Sequence, residues 1–378
     1  MVRLRRALIA VAAALLLVPA ATAAADPVSL HSASGGHEAV TWKILPPTKL
    51  PGFPFTDGPD SVAVSGNGRN AFVLGPTQLV KLNVAKSPAT ITWRTANVSG
   101  RQIVTNPRHQ IAYVSSSTGK SLKAVNTYPK TPVITKSFNY NCSIYCAITD
   151  IAITRNGKYL LVGVRATTHR VDIYSLTNPW KPKKVGHRNI GLRPDAIAPM
   201  PNGHDLVMQG VDMGTGNHQY MVLNIRHPKQ VKIVKHRTLL PFTYGGPVVP
   251  APGGSHVYLV GEDTSQNVYI IDMKPSGHWP ITRNRKVMKQ NDSLVSGADI
   301  TTTGKYIYIA RNGIPSDNTT CIFGFAHLTR ADCYTGMDDP DAGVVLSKAG
   351  PTRDRAYIPE GQVNTRQAWL NVLSPPKP

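Results

Sequence analysis

The stretch Asp150-Ile-Ala-Ile-Thr-Arg-Asn-Gly-Lys-Tyr-Leu-Leu-Val162 places an Asn-Gly turn between two short apolar runs. Asn-Gly flanked by apolar residues is a strong sequence signal for a β-hairpin. Closely similar phrases occur at residues 60–73 and 195–207. Because the hairpin recurs along the chain, the sequence predicts a fold built from repeated small sheets.

The hairpin turn serves as a ruler for the repeat. Successive turns lie 39 to 51 residues apart, at Asn67-Gly68, Asn106-Pro107, Asn156-Gly157, Asn202-Gly203, Gly253-Gly254, Thr303-Gly304 and Arg353-Asp354. A unit of this length holds four short strands, which is one propeller blade. The sequence therefore predicts an all-β, seven-bladed β-propeller of four-stranded blades, formed by residues 38–378 as a single domain.

The last unit is one strand short. Residues 368–372, Ala-Trp-Leu-Asn-Val, read as its third strand, and the chain ends soon afterwards. Near the N-terminus, Val40-Thr-Trp-Lys43 matches Ile91-Thr-Trp-Arg94, which reads as the fourth strand of the first unit. We therefore expect residues 38–45 to complete the last blade and close the ring, which would protect the sheet edges.

These motifs resemble a known repeat family. The phrase Asp-x-x-Ala-x-x-x-Asn-Gly, at Asp60 and Asp195, is similar to the YVTN repeat of lactonase-like propellers, and residues 171–182 resemble the LVIVD repeat. The sixth unit departs from the pattern, since residues 321–325 lack the usual Asp or Asn. The family is functionally mixed, so the resemblance implies the fold and little chemistry.

The N-terminus has the pattern of a bacterial secretory signal peptide. Three arginines precede a short, mostly apolar run that ends in small residues, so residues 1–25 are expected to be removed after Ala23 or Ala25. Residues 26–37 would then form a linker. We expect a secreted, extracellular protein that has no membrane span after signal cleavage and is a monomer.

The chain is strongly basic, with a formal net charge of +21. Basic residues cluster after three consecutive Pro-containing turns and are expected on the outermost strands of three adjacent blades. They are Lys181, Lys183, Lys184, His187 and Arg188; Arg226, Lys229, Lys232, Lys235 and Arg237; and Arg283, Arg285, Lys286 and Lys289. Either these basic residues bind an anionic polymer, or they protect exposed strands from aggregation. Few aromatic residues accompany them, which argues against sequence-specific nucleic-acid recognition.

Four cysteines in an exported chain predict disulfides. Local pairing of Cys142 with Cys146 and of Cys321 with Cys333 is the simplest of three connectivities. The spacings lack the Cys-x-x-Cys pattern of zinc sites, so a structural metal is the weaker interpretation.

The alternation of strands sorts the loops onto two ends of the ring. One end carries the short turns between strands one and two and between strands three and four. The other carries the longer and more varied loops, and binding and catalytic residues usually lie on such loops. We therefore predict ligand binding there, with ten candidate residues: Asp60, Asp150, Asp195, Arg165, His169, Asp212, His218, Glu262, Arg311 and Glu360.

The recurring aspartates have two interpretations. Asp60, Asp150 and Asp195, with Asp299 near them, could hold a divalent cation at the channel mouth, although no cofactor is predicted. Alternatively, each carboxylate accepts hydrogen bonds from backbone in its own blade, which is the usual role of Asp near a turn. Metalloprotease and serine-hydrolase motifs are absent from the sequence.

Two classes of function remain. The first is a non-catalytic binding protein whose varied loops bind an extracellular protein or glycan while its basic strands favour cell-wall polyanions. The alternative is an extracellular enzyme, a carbohydrate lyase or hydrolase or a lactonase-like esterase, with its site at the channel mouth. An enzyme needs His and carboxylate groups that converge within hydrogen-bond reach.

Overall fold

The computed structural model describes residues 43–375, apart from 52–58, 129–131, 141–145, 240–241, 277, 289–293, 313–318, 325–328, 336–342 and 363–366. The described part contains seven separate four-stranded antiparallel sheets. Each sheet is one blade, and the innermost strands of consecutive blades pack side by side. The predicted all-β, seven-bladed propeller is confirmed.

The strands of the first three blades follow one another in chain order. Blade 1 consists of β2 (Ser61–Val64), β3 (Asn70–Leu74), β4 (Leu79–Asn83) and β5 (Thr90–Thr95). Blade 2 consists of β6 (Gln102–Thr105), β7 (Ile111–Ser115), β8 (Ser121–Asn126) and β9 (Val133–Asn139). Blade 3 consists of β10 (Ala147–Ile153), β11 (Tyr159–Arg165), β12 (Arg170–Ser175) and β13 (Lys183–Asn189).

The next three blades repeat this order. Blade 4 consists of β14 (Leu192–Pro199), β15 (Asp205–Asp212), β16 (His218–Asn224) and β17 (Lys232–Thr238). Blade 5 consists of β18 (Tyr244–Pro250), β19 (Val257–Glu262), β20 (Val268–Met273) and β21 (Ile281–Met288). Blade 6 consists of β22 (Leu294–Ile300), β23 (Tyr306–Asn312), β24 (Thr319–Gly324) and β25 (Thr329–Thr335).

Blade 7 is assembled from both ends of the chain. Its inner three strands are β26 (Val345–Leu346), β27 (Ala356–Gln362) and β28 (Gln367–Ser374), and its outermost strand is β1 (Lys43–Leu50). Closure by an N-terminal strand agrees with the prediction, but the strand runs to Leu50 rather than to residue 45, and residues 38–42 lie outside the described residues. The reason is the Pro46-Pro47 pair, which reads as a break in sequence. Proline is tolerated on an edge strand, and the register shifts only locally, between Leu45 and Thr48.

The seven turns that served as the ruler all fall between the first and second strands of their blades. Five of them place a glycine at positive φ, namely Gly68, Gly157, Gly203, Gly254 and Gly304. Glycine adopts this left-handed conformation without steric cost, which explains why the Asn-Gly motif marks the turns.

Apolar side chains from neighbouring blades form the core. The second strands are almost fully buried, and Tyr113, Tyr258, Tyr308 and Tyr357 occupy them with no more than 1% of their surface exposed. The Tyr113 hydroxyl donates a hydrogen bond to the Pro179 carbonyl in blade 3, at 2.8 Å. This contact ties blade 2 to blade 3 and supplies the partner that a buried hydroxyl needs.

The cysteines agree with local pairing as far as they are described. Cys146 and Cys321 are both disulfide-bonded. Cys321 lies directly opposite Cys333 in the register of β24 and β25. Cys142 lies outside the described residues, so its pairing with Cys146 stays a prediction.

Helical structure in the described residues is limited to two single 3-10 turns, Pro228–Gln230 and Gly350–Thr352. No helix there is long and apolar enough to cross a membrane.

Candidate functional site

The propeller has two unlike ends. We call the end with the turns between strands one and two the turn face, and the opposite end the loop face. Because strands alternate in direction, the second strand of each blade begins at the turn face and ends at the loop face. The positions of the ten candidate residues can be given relative to these two ends.

A basic and histidine-containing cluster lies on the loop face between blades 3 and 4. Arg165 is exposed at the end of β11, and His169 is half-buried, with its Nδ1 accepting the Ala166 N–H at 3.3 Å. Burial lowers the pKa of His169, and the charges of Arg165 and Arg193 act in the same direction. His169 is therefore held as a neutral imidazole near neutral pH.

His218 lies at the start of β16 and is 3% exposed. Its Nδ1 has no hydrogen-bond partner within the described part of the chain. A Cβ placed on Gly245 would lie 2.9 Å from that nitrogen, so only glycine leaves room for the imidazole. Burial lowers the pKa of His218, and the charge of Arg193 acts in the same direction, whereas Asp195 and a backbone hydrogen bond with Thr243 oppose the shift.

Asp195 interacts with Arg193 as well as with His218. Its Oδ1 accepts a hydrogen bond from Arg193 Nε at 3.0 Å, two residues before it on β14. Arg193, which the sequence analysis did not single out, thus influences Asp195 and both histidines. No spacing motif marks it, since it reaches the cluster only through the packing of neighbouring blades.

Three buried charged residues lie near the loop-face ends of the second strands of blades 5, 6 and 7. Glu262, Arg311 and Glu360 are 2%, 3% and 3% exposed. The Glu262 Oε1 accepts the Val295 N–H of the next blade. Burial raises the pKa of Glu262, while the Val295 hydrogen bond and the Arg311 charge oppose the shift. These predicted site residues are therefore buried instead of standing on open loops, and Glu262 contacts the next blade.

Asp212 stabilises its own loop. Its Oδ1 accepts the Gly214 N–H at 2.8 Å and its Oδ2 accepts Gln219 Nε2 at 3.1 Å. Hydrogen bonds from the Gly214 backbone and its neighbours lower the pKa of Asp212. The carboxylate is thus committed to loop structure.

Two aspartates of the innermost strands, Asp150 and Asp299, act as inter-blade hydrogen-bond acceptors. Asp150 accepts the Ile151 N–H at 2.8 Å and, from blade 4, the Ile197 N–H at 2.7 Å. Asp299 accepts the Ile300 N–H at 2.7 Å and, from blade 7, the Leu346 N–H at 2.8 Å. This geometry favours the architectural interpretation and adds to it, because the carboxylates join neighbouring blades as well as their own.

Asp60 is exposed, just before β2. The described residues contain no group of three or more His, Cys, Asp or Glu side chains arranged to hold a metal ion. The possible divalent cation at the channel mouth thus has no ligand set in that part of the chain.

A cavity that was not expected from the sequence lies on the axis of the ring. It has a volume of about 860 Å³ and follows the central channel to the turn face. Its wall is mostly apolar, from residues such as Ile103, Ile151 and Val248, and its mouth carries Arg155 and Lys348. It opens at the end opposite to the predicted loop face.

The cationic groups at this mouth are held in place. Arg155 Nη1 donates to the Pro252 carbonyl at 2.7 Å, which links blade 3 to blade 5 across the turn face. Lys348 Nζ forms an ion pair with Asp299 Oδ1 at 2.6 Å. Contacts within the protein therefore fix the positions of Arg155 and Lys348 at the mouth of the cavity.

Comparison with known proteins shows the fold. No family model matches the chain, and no curated protein matches it in sequence. Among solved structures, the hydrazine synthase of Kuenenia stuttgartiensis is 16% identical, with a TM-score of 0.67 over 85% of this chain and 96% of that chain. The likeness is one of fold.

Two further structures have the same architecture. The β-propeller domain of Cps50 (Swd1) from Myceliophteria thermophila is 8% identical, with a TM-score of 0.63 over 88% of this chain and 99% of that one. A Bacteroides fragilis protein assigned as a 6-phosphogluconolactonase is 11% identical, with a TM-score of 0.60 over 82% and 95% of the two chains. At these identities the comparisons support a propeller, and the likeness to YVTN and LVIVD repeats stays a resemblance.

Proposed function

We propose that this chain is an exported binding protein that holds a linear polyanion of the cell surface on the outer edge of blades 3 to 5, while its loop face is available to a second extracellular ligand. The observation that carries the proposal concerns β13, β17 and β21, the outermost strands of those blades. Together they hold nine lysines and arginines and no acidic residue. We call these nine residues the basic rim.

The distribution of charge distinguishes binding from edge protection. The outermost strands β5 and β9 of blades 1 and 2 carry one lysine or arginine each, and β1 of blade 7 carries two. One or two charges are enough to discourage pairing between edge strands. Three on each of three consecutive blades exceed that need, and they create a continuous positive field that attracts a polyanion.

The rim residues are accessible to a polymer. Lys183, Lys232 and Lys286 are exposed, one on each of the three strands. Lys184 forms an ion pair with the buried Asp172 at 2.8 Å and so has a structural role as well. The first three lysines can therefore be changed without disturbing a described ion pair.

The test compares two triple variants of equal charge. Lys183→Gln, Lys232→Gln and Lys286→Gln remove three charges from the basic rim, whereas Lys43→Gln, Arg94→Gln and Lys136→Gln remove three from the outermost strands of blades 7, 1 and 2. Binding of a fluorescent polyphosphate and of fluorescent heparin is measured by anisotropy at about 0.1 M salt, where charges interact over about 10 Å. We expect the rim variant to bind at least about tenfold more weakly than the control variant.

Preference for polyphosphate over heparin would indicate a phosphate-bearing polymer, and the reverse an acidic glycan. Equal loss in both triple variants would reduce the effect to net charge and contradict a dedicated rim. Absence of binding by the native chain would contradict the proposal altogether.

One observation favours the second candidate function, a hydrolase of lactone-like substrates. The buried His218, held neutral and with an unpartnered Nδ1 in the described structure, has the properties of a general base. One of the structural neighbours is assigned as a lactonase. Hydrolysis of a panel of sugar lactones by the native chain, abolished by His218→Gln, would support the enzyme; no hydrolysis above background would contradict it.

A further inference from the structure

A second, smaller pocket lies between blades 1 and 2 on the turn face. Its volume is about 170 Å³. Its lining combines polar turn residues with parts of β3, β4 and β7, and the residues that matter for its chemistry are Phe72, Lys81, Asn106, Arg108 and His109. None of the roles described above uses it.

Lys81 is the most buried charged residue that lines this pocket. It projects from β4 and is half-buried, and its Nζ donates to the Thr127 carbonyl of blade 2 at 2.9 Å. The same Nζ lies 5.9 Å from the ring centroids of both Phe72 and Trp93. An ammonium carries three protons, so two remain for a ligand after the bond to Thr127.

No Asp or Glu lines the pocket. Instead, Arg108 and His109 stand at its rim, on the turn of blade 2. Asn106 holds this turn, since its Oδ1 accepts the Arg108 N–H at 2.9 Å and the His109 N–H at 3.2 Å. Burial lowers the pKa of Lys81, as expected for an ammonium that is removed from water without a neighbouring carboxylate.

The turns of the two blades close the pocket on the side of the central channel. Gly66 and Pro107 line both cavities, and a Cβ on Gly66 would lie 2.1 Å from the Pro107 carbonyl oxygen. The resulting space is small: a cavity of about 150 Å³ accommodates a molecule the size of benzene. A ligand of about six non-hydrogen atoms would therefore fit.

We propose that this pocket binds a small oxyanion, a carboxylate or phosphate group, between the Lys81 ammonium and the Arg108 guanidinium. The anion supplies the negative charge that the lining lacks, and charge-assisted hydrogen bonds to an ammonium and a guanidinium are among the stronger ones in proteins. This site does not depend on the basic rim, which lies on other blades.

The site is tested by calorimetric titration of the full chain with inorganic phosphate and with acetate. We expect saturable binding of at least one of them and a loss of about tenfold or more in affinity in Lys81→Met and in Arg108→Gln, the size expected when a hydrogen bond to a charged group is removed. Lys123→Met is the matched control, because Lys123 occupies the corresponding third strand of blade 2 and does not line the pocket. Phosphate and acetate distinguish the two ligand sources.

A second measurement covers the case in which Lys81→Met fails to fold. Arg108 is exposed, so its substitution leaves the core intact. In the native chain, Lys81 is acetylated with a limiting amount of an amine-reactive acetylating reagent. The rate of acetylation of Lys81 should fall severalfold when the anion is bound, while the rate for Lys123 should not change. Binding that survives both pocket substitutions, equal protection of both lysines, or no saturable binding of either anion would overturn the proposal.

Discussion

The Asp150 carboxylate on the innermost strand of blade 3 accepts the Ile197 backbone N–H of blade 4 at 2.7 Å. The same carboxylate accepts the Ile151 N–H and Gln102 Nε2, so it links three consecutive blades. Its burial raises its pKa from 3.8 to about 7, although the backbone hydrogen bonds from Ile197 and Ile151 act in the opposite direction. A structural carboxylate therefore titrates near neutral pH.

This raised pKa predicts a dependence of stability on pH. The folded chain keeps a proton on Asp150 up to about pH 7, whereas the unfolded chain releases it near pH 4. Stability from this group is thus greatest below about pH 4 and is lost as the pH rises through 7. We expect the contribution of Asp150 to the free energy of unfolding to fall by about 2 kcal/mol between pH 4 and 8, after allowance for its partial exposure.

Urea unfolding of the native chain and of Asp150→Asn across this range measures the effect. The amide cannot titrate, so the difference in stability between the two proteins should change with pH, and the variant should be relatively most destabilised in acid. A difference that stays constant from pH 4 to 8 would show that Asp150 has an ordinary pKa.

Closure of the ring predicts that the last residue of β1 is important for stability. Leu50 is 2% exposed and packs in the core cluster that contains Leu370 and Val73. Leu50→Ala should lower the free energy of unfolding by about 2–4 kcal/mol, because it leaves a cavity in the closing blade. Lys49→Ala, its exposed neighbour, is the control and should change stability by less than about 0.5 kcal/mol in thermal or urea unfolding. Equal effects of the two would indicate that β1 does not close the propeller.

The close contact of two turns predicts the effect of adding one methyl group. In Gly66→Ala the new Cβ would meet the Pro107 carbonyl at 2.1 Å, whereas a Cβ on Gly253, in the corresponding turn of blade 5, has nothing within 4 Å. Gly66→Ala should therefore cost about 1–3 kcal/mol, and Gly253→Ala should cost almost nothing. Differential scanning calorimetry of both variants measures this, and similar melting temperatures would contradict the described turn packing.

The buried tyrosines predict a smaller effect. Tyr113→Phe removes the hydrogen bond to the Pro179 carbonyl and leaves that acceptor buried, so it should cost about 1 kcal/mol or more. Tyr128→Phe, at an exposed position, is the control. A native-like midpoint of urea unfolding for Tyr113→Phe would mean that this inter-blade bond contributes little.

The sequence predicted the regular parts of the fold because local chemistry determines them. Asn-Gly turns, apolar runs and their spacing fix the seven blades, and all seven turns lie where the pattern put them. The extent of β1 was wrong at its C-terminal end because Pro46-Pro47 normally interrupts a strand, and only the pairing with β28 shows that an outermost strand accommodates it.

The candidate sites were harder to predict because they depend on how blades face one another. Glu262 and Glu360 read as loop residues but are buried, and Glu262 accepts the Val295 N–H of the next blade. Arg193 and Lys81 carry no motif and gain their roles from neighbours on other strands. The central cavity depends on the radius of the closed ring, which no local pattern encodes.

The salt dependence of polyanion binding tests the central claim most directly. For binding driven by counterion release, the logarithm of affinity falls linearly with the logarithm of salt concentration, and each charge contact contributes somewhat less than one to the slope. We predict that Lys183→Gln, Lys232→Gln and Lys286→Gln together reduce the slope for polyphosphate by about 2–3, while the matched triple variant of Lys43, Arg94 and Lys136 keeps the native slope. Identical slopes for the native chain and the rim variant would contradict binding at the basic rim.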